Sequence, residues 1–387
     1  MLHRARCALV LAALSLSPFA IGCGGLSYRY DTGSVRAIAG SESLHAVATE
    51  ALDARAEGGA IPVSGDASVD RVVSNSLREV RLAVSDHLVR AGVVSADAPT
   101  LPAPTTPAEV EQALARARAA GAAEVVFVRF HRGSLAPGCG SVAVLAMYVG
   151  ILPWLIIDSI PLWSHGGVGA FEVVVASSET GEVLGRSARA AAFSEHVSAW
   201  GCGADGVMHD MMRRSLELAL EDVVAQARSG WPNRSGAPAA AAVLAPVTRL
   251  EGNRVVSLGW SLEAPGGYTL EAYDPSQIRS ARLSRSTDEH LDVTLLAQSD
   301  YESNFSSHAF DGFRNTATLI SEQETTVSGH GARRGVVTVE GRRVHMLAVG
   351  AQGLGFLVAC SGPDELCDRG LTSFAVSDEL VADGSRH

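Results

Sequence analysis

The chain contains no lysine, so all 31 of its basic residues are arginine. This absence excludes every mechanism that needs a side-chain amine, including the phosphate-binding lysine of P-loop proteins, the kinase lysine, Schiff-base chemistry and the SxxK acylation site. Basic residues are also outnumbered, because 42 acidic residues give the chain a net charge of −11. Nucleic-acid binding relies on clustered basic side chains, so a nucleic-acid partner is not expected.

Sequence motifs for catalysis are missing as well. The chain has no GxSxG nucleophile elbow, no HExxH zinc motif, no EF-hand loop and no dinucleotide-binding glycine pattern. Ser194, Glu195 and His196 are adjacent, and they cannot form a triad among themselves because triad members meet through the fold. We therefore expect no catalytic residue, no cofactor and no metal. The alternative is an esterase-like hydrolase whose Ser and His are brought together by the fold.

What the chain does have is enough apolar residues to fold: 47% of its 387 residues are hydrophobic, which excludes a disordered protein. Its length predicts two domains, since one domain takes roughly 100 to 200 residues. The clearest break in pattern lies at 229–248, where Pro, Gly and Ala replace amphipathic spacing. We interpret this stretch as a linker between two domains.

The N-terminus has the form of a secretory signal peptide, with Arg4 and Arg6 before an uncharged apolar run. The run ends in Ala-Ile-Gly-Cys at residues 20–23, which resembles the lipobox of bacterial lipoproteins, although members of that family usually carry Leu where this chain has Ala20. The resemblance implies a signal peptide at 1–22 and fatty acyl chains, palmitate among them, on Cys23. In that family, an Asp directly after the acylated Cys favours retention at the inner membrane. This chain has Gly24 there, which implies that the protein is located at the periplasmic face of the outer membrane. The alternative is ordinary cleavage with Cys23 unmodified.

Four further cysteines remain after Cys23, an even number in an exported chain, and they are disulfide candidates: Cys139, Cys202, Cys360 and Cys367. Four cysteines allow three pairings, and we favour 139 with 202 and 360 with 367. Zinc is the competing interpretation, but no CxxC and no nearby His at ligand spacing supports it.

The predicted N-terminal domain, 23–228, alternates helix and strand. A helical face is predicted from Leu44 to Leu52, a buried strand over Glu124–Phe130, and a hairpin from Val168 to Phe193. Thr106 and Glu109 form a capping box with Pro107 at the first helical position. This order of elements over residues 30–228 is similar to the periplasmic α/β modules of the TolB N-terminal and CsgG-like lipoproteins.

The predicted C-terminal domain, 249–387, is richer in strands, with a helix expected around Phe310–Ile320 and a closing helix from Pro363 toward Val381. The stretch from Arg342 to Leu380, with two strands, a small-residue turn and a helix, resembles the end of a PsbP-like α/β/α sandwich. The resemblance covers about 250–383 and implies a binding or assembly role, because such domains act more often as accessory subunits than as catalysts.

A hydrophobic stretch at 141–163 has Asp158 as its only charge and is long enough on hydropathy alone to span a membrane. Gly150 and Pro153 interrupt it near its middle, which favours a helical hairpin over a straight span. Three structures remain possible: a buried core hairpin, a hairpin dipping into one leaflet, or a surface for a partner. The residues expected to contact a membrane or partner are Leu152, Trp154, Ile156 and Trp163.

Together these patterns predict an α+β protein of two α/β sandwich domains joined by a Pro/Ala/Gly linker, with a hydrophobic helical hairpin inserted in the first. The function expected is that of a lipid-anchored periplasmic binding or assembly module without catalysis. Its partners would be the membrane, through its N-terminal acyl groups, and an envelope protein. A subunit of an export or pore complex is the remaining alternative.

Overall fold

A computed structural model of the protein describes residues 35–53, 83–137, 163–197, 206–232, 234–271, 279–297, 309–310, 317–351, 354–377 and 382–383. Several predicted features lie outside these residues: the lipobox with Cys23, the cysteines Cys139 and Cys202, and Leu152, Trp154 and Ile156 of the hydrophobic stretch. Trp163 is the first residue of a strand.

The strands and helices follow one another in this order. The strands are β1 (Ala46–Ala48), β2 (Leu52–Asp53), β3 (Glu124–Pro137), β4 (Trp163–Ser177), β5 (Val183–Val197), β6 (Arg249–Glu251), β7 (Arg254–Ser257), β8 (Trp260–Glu263), β9 (Thr269–Leu270), β10 (Arg279–Ser284), β11 (His290–Ala297), β12 (Thr318–Val327), β13 (His330–Val339), β14 (Arg342–Ala351), β15 (Leu354–Ser361), β16 (Ala375–Val376) and β17 (Ala382–Asp383). The helices are α1 (83–90), α2 (Pro107–Ala119), α3 (Gly206–Arg228), α4 (Ala239–Val243) and α5 (Asp364–Thr372), with a 3-10 turn at Ser41–Ser43.

A six-stranded sheet organises the N-terminal region. Strands β3, β4 and β5 form an antiparallel meander, β1 and β2 pair in parallel with β3, and β17 pairs in parallel with β5. Helices α1 and α3 pack on one face of this sheet, and α2 and α4 pack on the other. The predicted strand Glu124–Phe130 is confirmed, and its unbroken apolar run is explained because both of its faces are covered by helices.

Local signals in this region are also confirmed. The Glu109 N–H donates to the Thr106 hydroxyl at 3.3 Å, and the Thr106 N–H donates to the Glu109 carboxylate at 3.1 Å, which completes the capping box of α2. The predicted hairpin is the β4–β5 pair, and its turn is closed by Gly181 at φ 68°, a left-handed conformation that favours glycine.

The helical face predicted from Leu44 to Leu52 is wrong, because the segment forms β1 and β2. Its spacing satisfied a helix because six of its nine residues are Leu, Val or Ala, and Leu44, Val47 and Leu52 are all buried. A parallel strand covered on both faces loses the alternation that would distinguish it from a helix. Pairing with β3 decided the conformation, and in this parallel pair Val47 lies opposite Val125.

The C-terminal region contains two antiparallel sheets. The larger has seven strands in the order β12-β13-β14-β15-β11-β10-β9, and the smaller has four in the order β16-β8-β7-β6. Helix α5 contributes Cys367 and Leu371 to a core shared with Trp260 of β8 and Phe356 of β15. The mixture of helices and sheets makes the protein an α+β fold, as expected.

Two predicted helices of this region differ in the structure. The helix expected around Phe310–Ile320 is wrong at its end, because β12 begins at Thr318 and pairs there with Thr338 of β13. The closing helix stops at Thr372, after which Ala375 and Val376 pair with β8. In both places pairing with another strand, the neighbouring β13 for β12 and the distant β8 for Ala375 and Val376, overrode local helical signals.

The segment predicted as a linker, 229–248, contains α4, whose Ala239 and Val243 are buried against the N-terminal sheet. It is fastened by backbone bonds to the β4–β5 hairpin: the Ala239 N–H donates to the Gly181 carbonyl at 2.8 Å, and the Val183 N–H donates to the Ala237 carbonyl at 2.9 Å. The boundaries of the two predicted domains remain a prediction. Within the described ranges, no helix combines the length and the hydropathy that crossing a bilayer requires.

Candidate functional site

A charged cluster is buried on one face of the N-terminal sheet. Side chains alternate along a strand, so Arg129 and His131 of β3 lie on the same face as the core residue Phe127, and Glu172 of β4 lies on that face beside them. Arg129 is 1% exposed and Glu172 is fully buried. Charges are rarely buried unless they are paired, so the contacts of this cluster decide whether the sheet can form.

Glu172 is the centre of the cluster. One carboxylate oxygen accepts from Nη1 of Arg129 and lies 2.6 Å from Nε2 of His131, and the other accepts from Nε of Arg186 on β5. The second terminal nitrogen of Arg129 donates to the carbonyl of Ala245, just after α4. One buried guanidinium therefore joins the sheet to the segment that leads into the C-terminal region.

The titration of the cluster follows from its burial and its charges. Burial alone would raise the pKa of Glu172, but the Arg129 guanidinium, helped by His131 and Arg186, holds that pKa well below its usual range. Burial lowers the pKa of His131, and the neighbouring Glu172 only partly opposes this effect. At neutral pH, Glu172 is therefore a carboxylate and His131 is a neutral imidazole.

A cavity of about 450 Å³ lies beside the cluster. Its walls come from β3, β5, α3 and the segment from Pro246 to Leu258 that includes β6 and β7. Four arginines line it against one carboxylate, and the lining residues are Arg129, His131, Arg186, Ser187, Ala188, Arg189, Asp222, Gln226, Pro246, Val247, Arg249, Val256, Ser257 and Leu258. The wall thus combines a cationic part with an apolar part, in a protein that is acidic overall.

Three of the lining arginines are partly open to solvent, with 44% of the Arg186 side chain, 27% of Arg189 and 35% of Arg249 exposed. Arg189 pairs with Asp222 of α3 at 2.6 Å, and Arg249 pairs with Glu251, two residues further along β6, at 2.6 Å. Each of these guanidinium groups has further N–H donors beyond the atoms used in its pair.

Two polar atoms of the buried cluster have no hydrogen-bond partner among the described residues, Nε of Arg129 and Nδ1 of His131. Both belong to residues that line the cavity, and His131 is only 6% exposed. Buried polar atoms are nearly always hydrogen-bonded to protein or to a bound molecule. Nε of Arg129 is a donor, whereas Nδ1 of the neutral His131 ring is an acceptor, because Nε2 carries the ring proton toward the Glu172 carboxylate. One unpaired donor and one unpaired acceptor at the same cavity indicate a place for a polar ligand or water.

The hydroxyl groups in the cavity wall are engaged with groups other than histidine. The Ser187 hydroxyl donates to Asp222 at 2.8 Å, and the Ser257 and Thr248 hydroxyls are 2.9 Å apart. The ring of His131 uses its Nε2 on Glu172. This arrangement has the features of a binding cavity, and none of these pairs is the serine–histidine contact of a hydrolase.

Of the site residues predicted from sequence, the structure brings together one pair. Cys360 of β15 and Cys367 of α5 form a disulfide, as expected, and both are fully buried. Among the described residues, no group of three His, Cys, Asp or Glu side chains is placed to hold a metal ion. Cys23, Cys139, Cys202, Leu152, Trp154 and Ile156 lie outside the described residues.

The cavity itself was missed by sequence reasoning, although a signal for it exists. Arg129 and His131 follow the apolar run of β3, and Glu172 stands between Phe171 and Val173 in the apolar run of β4. A charged residue at an inward position of a buried strand requires a compensating partner. When two such strands carry opposite charges at inward positions, the two charged residues are expected to lie side by side. Arg129 and Glu172 are directly opposite each other in the β3–β4 pair.

Comparison with known proteins gives structural neighbours and nothing more. No family model matches the chain, and no curated protein matches its sequence. The solution structure of CyanoP, the cyanobacterial PsbP of Synechocystis, is 16% identical, covers 34% of this chain and 99% of its own, and has a TM-score of 0.26. A crystal structure from Bacteroides thetaiotaomicron is 10% identical, covers 34% of this chain and 50% of its own, and has a TM-score of 0.25.

A third neighbour is a protein of unknown function from Pseudomonas aeruginosa, 11% identical, covering 27% of this chain and 78% of its own, with a TM-score of 0.18. The PsbP-like domain expected from the sequence therefore has a structural neighbour of that family, which covers 34% of this chain. These TM-scores carry no argument about what the chain does.

Proposed function

We propose that the protein is a non-catalytic binding module of the cell envelope and that it takes up a small ligand in the cavity beside Arg129 and His131. The observation that carries this proposal is the cavity of about 450 Å³ with two orphaned, buried polar atoms in its wall. Ligand sites are typically concave, partly apolar and equipped with a few fixed polar groups, and this cavity has all three properties.

Rigid placement of the polar groups also favours binding. Arg129 is fixed by Glu172 and by the Ala245 carbonyl, so its unpaired Nε–H has little freedom to lose when a ligand arrives. Preorganised donors bind more tightly because less conformational entropy is lost on association.

The envelope location rests on the N-terminal sequence and on one structural feature. The lipobox-like segment at residues 20–23 predicts acylation of Cys23 and attachment to the periplasmic face of the outer membrane. The Cys360–Cys367 disulfide supports export, because structural disulfides persist in oxidising compartments. The proposal includes two domains, at 23–228 and 249–387, a hydrophobic hairpin at 141–163 and an envelope protein as partner.

Ligand uptake is tested with a cavity-filling variant. Val256 lines the cavity at a half-buried position of β7, and Val256→Trp would occupy the space while keeping every member of the Glu172 cluster. The control Val339→Trp places the same bulk on an exposed position of β13. Compounds that raise the unfolding temperature of the unmodified protein should raise that of Val339→Trp and fail with Val256→Trp. Equal responses in both variants would place ligand binding elsewhere and contradict the proposal.

Lipidation is tested separately by metabolic labelling with an alkyne fatty acid. The full chain should label and fractionate with the outer membrane, whereas Cys23→Ala should lose both the label and the membrane fraction. A Cys23→Ala variant that still labels would refute the assignment.

A further inference from the structure

The cationic wall of the cavity has a geometry that selects among ligands, and this inference rests on the proposed function. The four lining arginines stand on three strands: Arg129 on β3, Arg186 and Arg189 on β5, and Arg249 on β6 of a different sheet. Donors therefore reach the cavity from more than one side. A planar carboxylate offers two acceptor oxygens, whereas a phosphate ester offers three that point in different directions.

The balance of charged side chains around the cavity also favours an anionic ligand. Among the lining residues, the four guanidinium groups face Asp222 as the one carboxylate, with Glu172 in the floor of the cluster and Glu251 at the rim. Four positive charges against three negative ones leave the wall cationic even when both neighbours are counted. His131 adds no charge at neutral pH, because burial keeps its ring neutral.

The remaining wall is apolar. Ala188, Pro246, Val247, Val256 and Leu258 line the cavity away from the guanidinium groups. A volume of about 450 Å³ exceeds what a bare phosphate ion fills, so the ligand would carry an organic body as well.

We propose that the cavity binds an organic phosphate monoester, with the phosphate oxygens held by Arg186, Arg189 and Arg249 and the organic body packed on Pro246, Val247 and Leu258. Guanidinium groups suit this role because their planar forks donate two parallel hydrogen bonds to phosphate oxygens. The phosphate could belong to a soluble metabolite or to a lipid headgroup, and the two sources share this chemistry.

The class of ligand is tested by calorimetric titration with three probes of similar size: phenyl phosphate, benzoate and phenol. Phenyl phosphate should bind more tightly than benzoate by about 10-fold, which is what one additional charge-assisted hydrogen bond contributes, and phenol should bind weakest. Equal affinity for phenyl phosphate and benzoate would overturn the phosphate assignment.

The role of the arginines is tested with Arg249→Gln, because Arg249 is partly exposed and pairs with Glu251, outside the buried Glu172 cluster. Phenyl phosphate affinity should fall by about 10-fold, while the affinity for phenol should stay the same. The control Arg285→Gln removes one exposed positive charge outside the cavity, where Arg285 pairs with Glu289, and should leave both affinities unchanged. If Arg249→Gln and Arg285→Gln behave alike, the inference fails.

Two further experiments distinguish a lipid phosphate from a soluble one, and the phosphate assignment from the binding function as a whole. Dihexanoyl phosphatidic acid, a short-chain lipid with a monoester headgroup, should compete with phenyl phosphate if lipids are the source, and glycerol 3-phosphate should compete if soluble metabolites are. Displacement by neither would overturn the monoester proposal. If phenyl phosphate does not bind but other compounds bind in a manner blocked by Val256→Trp, the phosphate assignment fails and the binding function stands.

Discussion

The N-terminal and C-terminal regions each bury a histidine against carboxylates, but they do so in opposite ways. His131 faces Glu172, a carboxylate as deeply buried as the ring itself. His345 of β14 is 6% exposed, yet its partners Asp364 and Asp368 on α5 have side chains that are 53% and 57% exposed. The ring nitrogens lie 2.9 Å from Asp364 and 3.2 Å from Asp368.

This difference decides what each cluster contributes. Water screens the carboxylates around His345, and Arg343 and Arg334 from neighbouring strands pair with the same two aspartates at the surface. Exposed pairs of this kind contribute about 0 to 1 kcal/mol. Glu172 and Arg129 are buried, so a lost partner leaves a charge that solvent screens poorly.

The largest expected effect comes from Glu172→Gln. Removing the carboxylate leaves the Arg129 guanidinium buried without its counter-charge, and breaking a buried pair in this way costs about 3 to 5 kcal/mol of unfolding free energy. Urea unfolding measures it. Asp368→Asn is the matched surface change, and a loss as large as that of Glu172→Gln would erase the contrast between the two regions.

The next effect is a pH dependence that arises from His87 in the N-terminal region. Burial lowers the pKa of His87 on α1 from 6.5 to about 4, so the unfolded chain takes up a proton before the folded one does. Stability is therefore complete above pH 6.5 and declines as the pH falls toward 4. A shift of this size corresponds to about 3 kcal/mol. His131, whose pKa burial also lowers, adds in the same direction.

Unfolding free energies measured across this interval check the prediction, with His87→Phe as the variant that no longer titrates at that position. The curve for His87→Phe should be flatter than that for the unmodified protein. Parallel curves would show that His87 is not the group responsible.

A smaller effect is expected for the Cys360–Cys367 disulfide. It closes a loop with a sequence separation of 7 residues, and a crosslink across so short a loop stabilises by about 2 kcal/mol by restricting the unfolded chain. The double variant Cys360→Ala/Cys367→Ala keeps both buried sites free of polar atoms. Hydrogen exchange should then accelerate in β15 and α5 while β3 and β4 keep their protection, and uniform acceleration would contradict this regional assignment.

The smallest effect is expected for His345→Gln. The variant loses hydrogen bonds to two aspartates that water can solvate, so its midpoint of urea unfolding should shift less than that of the disulfide variant. The hydrogen bond from His345 holds the pKa of Asp364 below its usual value of 3.8, so any contribution to stability is present above that pH and lost as the pH falls below it. A shift exceeding that of the disulfide variant would mean that α5 depends on this contact more than its exposure indicates.

Sequence reasoning succeeded where a few neighbouring residues decide the outcome. The capping box at Thr106 and Glu109, the strand through Phe127 and the short disulfide loop are all local. It failed at Leu44–Leu52, where the partner strand lies far along the chain. The charged inward positions of β3 and β4 point to the Arg129–Glu172 pair, but the cavity also needs Ala245 and the segment after it, and Arg129 is separated from Glu172 by 43 positions and from Ala245 by 116.

The contact between Arg129 and the Ala245 carbonyl has a consequence for selectivity by size. Ala245 immediately precedes Pro246, where the opposite wall of the cavity begins, and Arg249 follows within the same short stretch. The distance between the two walls is therefore set when the sheet folds, by a bond that a ligand does not touch. If the cavity binds a ligand as proposed, a molecule too large for that gap would have to displace a buried guanidinium, which disfavours its uptake.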